Sequence, residues 1–297
     1  MQEARGRMQE TRGRRQEAGL GSVEEALRVA TGVLAASAEN PRLEAEILLA
    51  HILGRPRTFL LAHPEAVLTP EQAARFTDGV GRRAAGAPLP YITGHIEFYG
   101  LDFAVTPDVL IPRPETELLV EEALAWLKSR PAATVVDVGA GSGCIVVTLA
   151  THAPDAHFYA TDLSAAALDV ARANAERHGV RSRITFLEGD LLSPLDESVD
   201  VLVSNPPYVA ETEWDALPLS VQQEPRLALT SGVDGLDAIR RLLAQAVQRV
   251  RPGGLILIEI GGRQGDTAQA LAQAAFPQAS VQVLPDLAGK ARVLKIF

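Results

Sequence analysis

The stretch Val135-Val136-Asp137-Val138-Gly139-Ala140-Gly141-Ser142-Gly143 decides how this chain folds. A short, mostly β-branched run precedes three glycines at alternate positions, the pattern of a buried strand that turns sharply into a helix. Glycine lets the turn adopt conformations closed to other residues, and it lets the backbone approach a ligand closely. In open α/β sheets, ligands bind at the carboxyl ends of the strands. The stretch therefore predicts the first strand of a parallel sheet and a ligand-binding loop.

Strands and helices alternate from residue 134 onward. Strands are predicted over 134–138, 157–161, 184–188, 199–204 and 255–260, and helices over 143–152, 164–178 and 236–250. The segments 280–284 and 292–297 predict a closing antiparallel pair. Such alternation is typical of βαβ connections and a parallel sheet with helices on both faces. The predicted fold class is therefore α/β, with a doubly wound sheet over residues 114–297.

The chain upstream of this sheet divides into three segments. Residues 1–19 have a seven-residue repeat without a consistently apolar position, which excludes a coiled-coil seam and predicts a disordered tail. A basic arm that touches a partner is the alternative. Residues 20–85 predict a small helical domain, in which Ser22 and Thr69 cap helices. Residues 86–113 place prolines and glycines between short apolar runs, which predicts a hairpin linker.

Composition places the chain among ordinary globular proteins. It has 297 residues, 47% of them hydrophobic, and a net charge of -9, which argues against a nucleic-acid partner. Its single cysteine, Cys144, excludes an internal disulfide, and no residues have the spacing of a metal site. No apolar run approaches the roughly 20 residues of a membrane span, and no secretory signal is evident. We expect a cytoplasmic monomer with no membrane partner, in which Cys144 is a buried helix residue.

The order of residues in the glycine loop narrows the class of ligand. A dinucleotide loop would place its third glycine at position 144, where this chain has Cys144. The spacing Asp-x-Gly-x-Gly-x-Gly over 137–143 instead resembles the first motif of class I methyltransferases, which bind S-adenosylmethionine. An NAD site and a glycine turn without a ligand are the alternatives. The candidate cofactor contacts are Gly139, Ala140, Gly141, Ser142 and Gly143.

Two acids and a leucine follow the next strands. Asp162 ends the second strand, where an acid accepts hydrogen bonds from ribose hydroxyls; a cap for the following helix is the alternative. Asp190 follows the third strand and fits the adenine amino group, with Leu191 flanking the ring. A plain turn aspartate is the alternative for Asp190. We include all three among the candidate cofactor-binding residues.

The sequence Ser204-Asn205-Pro206-Pro207-Tyr208 follows the fourth strand. Two prolines fix two φ angles and remove two N–H donors, which leaves the Asn205 side-chain oxygen and the Pro206 carbonyl as a rigid pair of acceptors. Tyr208 adds a ring on which a conjugated plane can stack. These features fit a planar NH₂ group, so Asn205, Pro206 and Tyr208 are candidate catalytic residues, and Pro207 joins them in binding substrate. Asn205 is also a candidate cofactor contact; a loop that merely ends a strand is the alternative.

Further motifs narrow the resemblance. They are Asn40-Pro41-Arg42-Leu43-Glu44-Ala45-Glu46, Pro88-Leu89-Pro90-Tyr91-Ile92-Thr93-Gly94, Phe98-Tyr99-Gly100-Leu101-Asp102-Phe103, Val109-Leu110-Ile111-Pro112-Arg113-Pro114-Glu115-Thr116-Glu117, Glu224-Pro225-Arg226-Leu227-Ala228-Leu229 with Asp234-Gly235-Leu236, and Glu259-Ile260-Gly261 with Gln264. Together they closely resemble the family that methylates the glutamine of the Gly-Gly-Gln motif in class-I peptide chain release factors. The resemblance covers about residues 22–297.

This resemblance implies roles for particular residues. It implies S-adenosylmethionine contacts at 139–143, Asp162 and the Leu191 position, and substrate-glutamine contacts at 205–208. It also implies that 112–117 lies over the cofactor site and that the helical domain grips the release factor. Leu191 departs from the aromatic residue of some members, so only its backbone position is carried over.

We therefore expect transfer of a methyl group from S-adenosylmethionine to the N5 amide nitrogen of the release-factor glutamine, by direct displacement. The alternatives are a ribosomal-protein glutamine methyltransferase, a nucleic-acid adenine methyltransferase and a non-catalytic cofactor-binding scaffold. Residues 114–117 favour the release-factor family, the acidic charge argues against nucleic acid, and an intact 205–208 motif argues against a scaffold. Arg113 is not a candidate catalytic residue, and a surface salt bridge with Glu115 or Glu117 is one interpretation of it.

Overall fold

The computed structural model describes residues 21–297, which form two compact units divided between Thr93 and Gly94. The predicted tail over 1–19 lies outside the described residues. The division falls inside the segment 86–113, which was expected to be a linker, because its two halves pack differently. Its first half adds Leu89 and Ile92 to the core of the first unit, and its second half adds a hairpin to the core of the second.

The first unit is helical. Its helices are α1 (Val23–Leu34), α2 (Pro41–Leu53), α3 (Arg57–Ala62), α4 (Pro70–Ala84) and α5 (Leu89–Thr93). The predicted caps are present, because Ser22 Oγ accepts from the backbone N–H of Glu25 at 3.3 Å, and Thr69 forms a reciprocal capping box with Gln72. Fully buried apolar side chains such as Leu27, Leu49 and Phe76 give this unit a core of its own.

The second unit contains the remaining elements. A hairpin of β1 (His95–Phe98) and β2 (Leu101–Ala104) comes first. The other strands are β3 (Thr134–Val138), β4 (His157–Asp162), β5 (Ile184–Glu188), β6 (Val199–Ser204), β7 (Val250–Glu259), β8 (Val281–Pro285) and β9 (Ala291–Ile296). The helices are α6 (Glu117–Leu127), α7 (Cys144–His152), α8 (Ala165–Arg177), α9 (Leu219–Gln222), α10 (Asp237–Arg249) and α11 (Gly265–Ala275), with short 3₁₀ turns at Pro114–Thr116, Arg181–Arg183, Glu211–Ala216 and Arg226–Ala228.

Seven strands form one sheet in the order β5-β4-β3-β6-β7-β9-β8. The strands β3 to β7 are parallel, and β9 runs antiparallel between β7 and β8. The predicted α/β class and the predicted closing antiparallel pair are therefore confirmed. The one large difference in bounds is β7, which begins at Val250 instead of residue 255, because Val199 pairs with Val250 beyond an irregularity in the ladder.

Alternate residues of the central strands are buried on opposite faces of the sheet. Val135 and Val201 belong to the core on one face, and Val136 and Leu202 belong to the core on the other. All four side chains are fully buried. A sheet with both faces covered leaves only its strand ends open to a ligand, and the order reverses between β3 and β6. The crevice at the carboxyl ends of these two strands is the expected site.

Candidate active site

The glycine loop between β3 and α7 is held in a shape that only glycine adopts easily. Gly139, Gly141 and Gly143 have φ angles of 75°, 54° and 78°. The backbone N–H groups of Gly139 and Ala140 donate to the Thr161 carbonyl at 2.8 and 3.0 Å, which anchors the loop to the end of β4. The sequence motif is therefore a rigid backbone cradle at the end of the first sheet strand.

The loop forms one wall of a single pocket, here called the central pocket. The predicted site residues that line it are Gly139, Ala140, Gly141, Ser142, Asp162, Asp190, Leu191, Asn205 and Pro207. Gly143, Pro206 and Tyr208 are not among the lining residues. Gly143 lies behind the loop, where an added Cβ would stand 3.0 Å from that of Ala171. The structure thus brings the glycine loop, the acids and the segment after β6 to one cavity.

Asp162 joins the glycine loop to the start of α8. Its Oδ2 accepts from the N–H of Gly141 at 2.9 Å, and its Oδ1 accepts from the N–H of Ser164 at 2.8 Å. The helix cap itself is Ser164, whose Oγ accepts from the N–H of Ala167 at 3.2 Å. Burial raises the pKa of Asp162, and the two backbone donors oppose that rise. This carboxylate therefore presents acceptor capacity at the wall of the pocket.

The part of the central pocket where the sequence predicts the adenine ring also contains Arg241, which the sequence did not predict. The Asp190 carboxylate pairs with Arg241 of α10, and both side chains are about half exposed at the pocket wall. Leu191 has a φ of 53°, a left-handed conformation that non-glycine residues seldom adopt. Such strain gathers at binding sites, where the surrounding structure enforces it. Arg241 was not predictable because it is 51 residues from Asp190.

Arg113 corrects an expectation. Its partner is neither Glu115 nor Glu117 but the buried carboxylate of Glu224. Glu224 also accepts from the N–H of Ile111 at 3.0 Å. A carboxylate taken out of water needs a cation and hydrogen bonds to compensate, and the distant Arg113 supplies the cation. The pair ties the segment before α6, from which Pro112 and Thr116 line the pocket, to the segment after α9.

The residues Asn205, Pro206, Pro207 and Tyr208 are called the acceptor corner below. Ser204 just before them is buried, and its Oγ donates to the Val138 carbonyl at 2.7 Å, which fixes the ends of β3 and β6 together. The Asn205 Oδ1 atom is buried and has no hydrogen-bond partner within residues 21–297. A buried acceptor left unpaired costs free energy, so a native structure that keeps one indicates a role for it. A ligand N–H group would satisfy it.

A chain of side-chain hydrogen bonds lies behind the acceptor corner. Asn205 Nδ2 donates to Thr116 Oγ1 at 3.1 Å, and Thr116 Oγ1 donates to Glu259 Oε2 at 2.7 Å. The Tyr208 hydroxyl donates to the other oxygen, Glu259 Oε1, at 3.1 Å. Thr116 and Glu259 belong to motifs that carry the family resemblance, and the sequence alone predicts no role for either of them. Their separation of 143 residues hides their contact from any local reading.

The pKa values of Glu259 and Tyr208 determine the direction of the hydrogen bond between them. Burial raises the pKa of Glu259, whereas the hydrogen bond from Thr116 and the positive charge of Arg292 lower it. Burial and the charge of Glu259 raise the pKa of Tyr208 far above its usual range, so its hydroxyl stays protonated and donates. Glu259 is fully buried at the end of β7.

Two buried groups near the glycine loop have shifted pKa values. Burial raises the pKa of Asp137 from its ordinary value of 3.8 to about 7, although its Oδ2 accepts from the N–H of Val146 at 3.1 Å. Burial raises the pKa of the Cys144 thiol to about 12. Cys144 is buried in α7, as expected, and the raised pKa disfavours its thiolate, the nucleophilic form, at neutral pH.

No cluster of histidine, cysteine or acidic side chains within residues 21–297 has an arrangement able to hold a metal ion. No helix of the described part is long and apolar enough to cross a membrane.

The sheet order, the glycine loop at the end of β3 and the Asn-Pro-Pro-Tyr corner at the end of β6 define a class I methyltransferase. Residues 25–94 match the PrmC N-terminal domain family, and residues 114–223 match the methyltransferase small domain family. The chain is 49% identical over 273 residues to the release factor glutamine methyltransferase of Moorella thermoacetica, covering 91% of this chain and 96% of that one. It is 47% identical to that of Bordetella pertussis, covering 85% and 93%. The chain belongs to the release factor glutamine methyltransferase family.

Solved structures agree on the fold. The catalytic domain of hMettl16 in complex with a 3′UTR hairpin has a TM-score of 0.55 at 17% identity, covering 84% of this chain and 91% of that one. A 16S rRNA methyltransferase of T. thermophilus, in complex with AdoMet and guanosine, has a TM-score of 0.50 at 19% identity, covering 68% and 49%. At these identities the likeness shows a shared methyltransferase fold and nothing about substrate.

Proposed function

We propose that this protein transfers a methyl group from S-adenosylmethionine to the N5 side-chain amide nitrogen of the glutamine in the Gly-Gly-Gln motif of class-I peptide chain release factors. The observation that carries the proposal is Asn205, which lines the central pocket and whose buried Oδ1 atom has no hydrogen-bond partner within residues 21–297. An acceptor without a partner suits a substrate that brings an N–H group, and a glutamine amide brings two. Relatives named release factor glutamine methyltransferase support the same substrate.

The central pocket suits S-adenosylmethionine on the chemistry of its wall. Gly139 and Gly141 present backbone without side chains, and no atom lies within 4 Å of a Cβ added at Gly139. Asp162 offers carboxylate oxygens of the type that ribose hydroxyls bind, and Asp190 offers the same type to an amino group. We propose these residues and Leu191 as the cofactor site. The bound cofactor would supply an electrophilic methyl group.

The acceptor corner explains how an unreactive amide could become a nucleophile. An amide nitrogen shares its lone pair with its carbonyl group, so it attacks poorly. Asn205 Oδ1 and the Pro206 carbonyl would accept the two N–H bonds of the substrate amide, which favours positive charge growing on nitrogen. Tyr208 would pack against the amide plane, and Pro207 would close the pocket beside it. Holding the nitrogen in one orientation supplies part of the roughly 7–11 kcal/mol that orientation can contribute.

The helical first unit has a separate role in this proposal. None of the residues that line the central pocket belongs to it, and its core is independent. Exposed apolar side chains, among them Leu61 and Val67, remain on its surface. We propose that this unit, residues 20–85 in the sequence-based division, binds the release factor. A release-factor substrate would place the reaction in the cytoplasm, and we propose a monomer that contacts neither nucleic acid nor membrane.

The proposal is tested by labelling with methyl-labelled S-adenosylmethionine. Parallel reactions contain a class-I release factor, the same factor with the motif glutamine replaced, a ribosomal-protein mixture and DNA. We expect label on the intact release factor alone, with mass spectrometry placing one methyl group on the glutamine. Asn205→Ala should reduce turnover by about 1000-fold, because it removes one of two acceptors at the reacting group. Gln282→Ala, at an exposed position of β8, is the control that should keep full activity.

Each other outcome changes the proposal in a defined way. Label on the ribosomal-protein or DNA sample would keep the site and replace the substrate. Label on the release factor with the replaced glutamine would show a different target residue. Absence of label from every sample, with the cofactor still bound, would favour a scaffold.

A further inference from the structure

The side-chain amide of Asn205 has two ends of opposite polarity, and only one of them suits a substrate NH₂ group. Its oxygen accepts hydrogen bonds and its nitrogen donates them. With the oxygen toward the pocket, Asn205 accepts from the substrate amide. With the nitrogen toward the pocket, two donors would face each other. Something must therefore select between two orientations of nearly identical shape.

The hydrogen-bond chain behind Asn205 makes that selection. The Thr116 hydroxyl has one hydrogen, and it donates that hydrogen to Glu259 Oε2 at 2.7 Å. Thr116 Oγ1 is then only an acceptor toward Asn205, and Asn205 Nδ2 occupies that position at 3.1 Å. The Asn205 oxygen is left facing away from Thr116, buried and unpaired. If Thr116 had no acceptor of its own, its hydroxyl would be free to donate to the Asn205 oxygen, and the amide would be free to flip.

Glu259 serves the second half of the acceptor corner in the same way. Its Oε1 accepts from the Tyr208 hydroxyl at 3.1 Å, so a single buried carboxylate holds Tyr208 directly and Asn205 through Thr116. Thr116 is 2% exposed and Glu259 is fully buried, so water does not compete for these hydrogen bonds. In a region of low polarity such bonds are strong and a missing partner is costly.

We propose that Thr116 and Glu259 are positioning residues that fix which end of the Asn205 amide faces the substrate. Neither residue needs to touch the reacting nitrogen. Glu259 fixes the orientation of the Thr116 hydroxyl, and Thr116 fixes the orientation of the Asn205 amide. Glu259 also accepts a hydrogen bond from Tyr208. The inference rests on the proposed function, because it assumes a substrate that presents an NH₂ group.

The hydrogen-bonded series Glu259, Thr116 and Asn205 is called the relay below. A measurement of the Asn205 side chain tests the relay without any substrate. The chain has three asparagines, Asn40, Asn174 and Asn205, so ¹⁵N-asparagine labelling gives three side-chain NH₂ signals. Asn205→Asp identifies the Asn205 signal by removing it. Asn174 is an internal reference, since its Nδ2 donates to two backbone carbonyls at 2.9 Å. Hydrogen exchange of the Asn205 NH₂ group should accelerate at least about tenfold in Thr116→Val and remain slow in Thr116→Ser.

Turnover gives the second readout. Thr116→Val should lower kcat about 30-fold, with little change in KM for the release factor, because it misorients a group without removing it. Thr116→Ser keeps the hydroxyl and should restore kcat to within about fivefold of the wild type. Glu259→Gln presents an NH₂ donor to either Thr116 or Tyr208, so its kcat should fall between those of the two Thr116 variants. Thermal unfolding of each variant separates loss of fold from loss of orientation.

A matched control comes from the same unit. Thr148 is a fully buried threonine of α7 whose hydroxyl has no hydrogen-bond partner in the described part of the chain. Thr148→Val makes the same chemical change away from the central pocket, and it should leave kcat and the exchange of Asn205 unchanged.

The outcomes separate the two proposals. Slow exchange at Asn205 in Thr116→Val, or equal turnover of Thr116→Val and Thr116→Ser, would overturn the relay. A wild-type protein that labels no release factor would overturn the proposed function. In that case the exchange measurement would still decide whether Thr116 orients Asn205.

Discussion

The glycine loop and the acceptor corner both contribute residues to the central pocket, at the ends of the neighbouring strands β3 and β6, and they are built in different ways. The loop is made of backbone, with glycines at positive φ and N–H groups anchored to the next strand. The acceptor corner is made of side chains whose partners, Thr116 and Glu259, come from distant parts of the chain. A backbone site is encoded within nine residues, whereas a side-chain site depends on the whole sheet.

This difference predicts different failures. Damage to the loop should weaken cofactor binding, because in the proposed site the cofactor would contact the loop backbone. Damage behind the acceptor corner should slow turnover while the cofactor still binds. The effects expected at Gly235, Asp137 and Gly143 decrease in that order.

The largest effect is expected behind the acceptor corner, at Gly235. Its φ is 77°, and a Cβ at this position would lie 2.2 Å from the Tyr208 carbonyl oxygen. Gly235→Ala must therefore displace the backbone of Tyr208. We expect kcat to fall about 100-fold, with cofactor affinity changed by less than about threefold. Gly253→Ala is the matched control, since Gly253 also has a φ of 77° but no atom within 4 Å of the added Cβ. Equal turnover of the two variants would contradict the separation.

The next effect is a pH dependence of stability caused by Asp137, which lies in β3 just before the glycine loop. The pKa of Asp137 in the folded protein is raised to about 7, so its stabilising contribution is complete below its unfolded value of 3.8 and is lost as pH rises through about 7. The free energy of unfolding of the wild type should therefore fall by about 2.5 kcal/mol between pH 5 and pH 8 because of Asp137, and Asp137→Asn should abolish this part of the fall. Urea unfolding at both pH values measures it, with Asp155→Asn at an exposed turn as control. An equal change in the free energy of unfolding between the two pH values for wild type and Asp137→Asn would refute the raised pKa of Asp137.

The smallest effect is expected at Gly143, in the glycine loop. Its φ is 78°, and an added Cβ would stand 3.0 Å from the Cβ of Ala171, a distance at which the neighbour must give way slightly. Gly143→Ala should weaken cofactor binding about tenfold, measured by calorimetry, and leave kcat at saturating cofactor within about threefold. Gly179→Ala, with a φ of 69° and open space around the added Cβ, supplies the comparison. A Gly143→Ala enzyme with normal cofactor affinity and slow turnover would contradict the separation between cofactor binding by the loop and turnover by the acceptor corner.

Local patterns predicted much of this molecule. The strand Thr134–Val138, the caps at Ser22 and Thr69 and the closing antiparallel pair were predictable because each depends on neighbouring residues. The ion pair of Arg113 was predicted wrongly because nearby Glu115 and Glu117 are acids, whereas the buried Glu224 has the greater need for a cation. Sequence distance is a poor guide once burial decides the partner.

The sequence by itself determined the α/β class, the glycine loop and the family, since periodicity and short motifs are local properties of the chain. Only the tertiary structure decided how the acceptor corner is held. Thr116 precedes α6 and Glu259 ends β7, and the pairing of β6 with β7 brings the end of one strand beside the end of the other. The physical reason is that hydrogen bonds between buried side chains act over about 3 Å in space, whatever the separation along the chain.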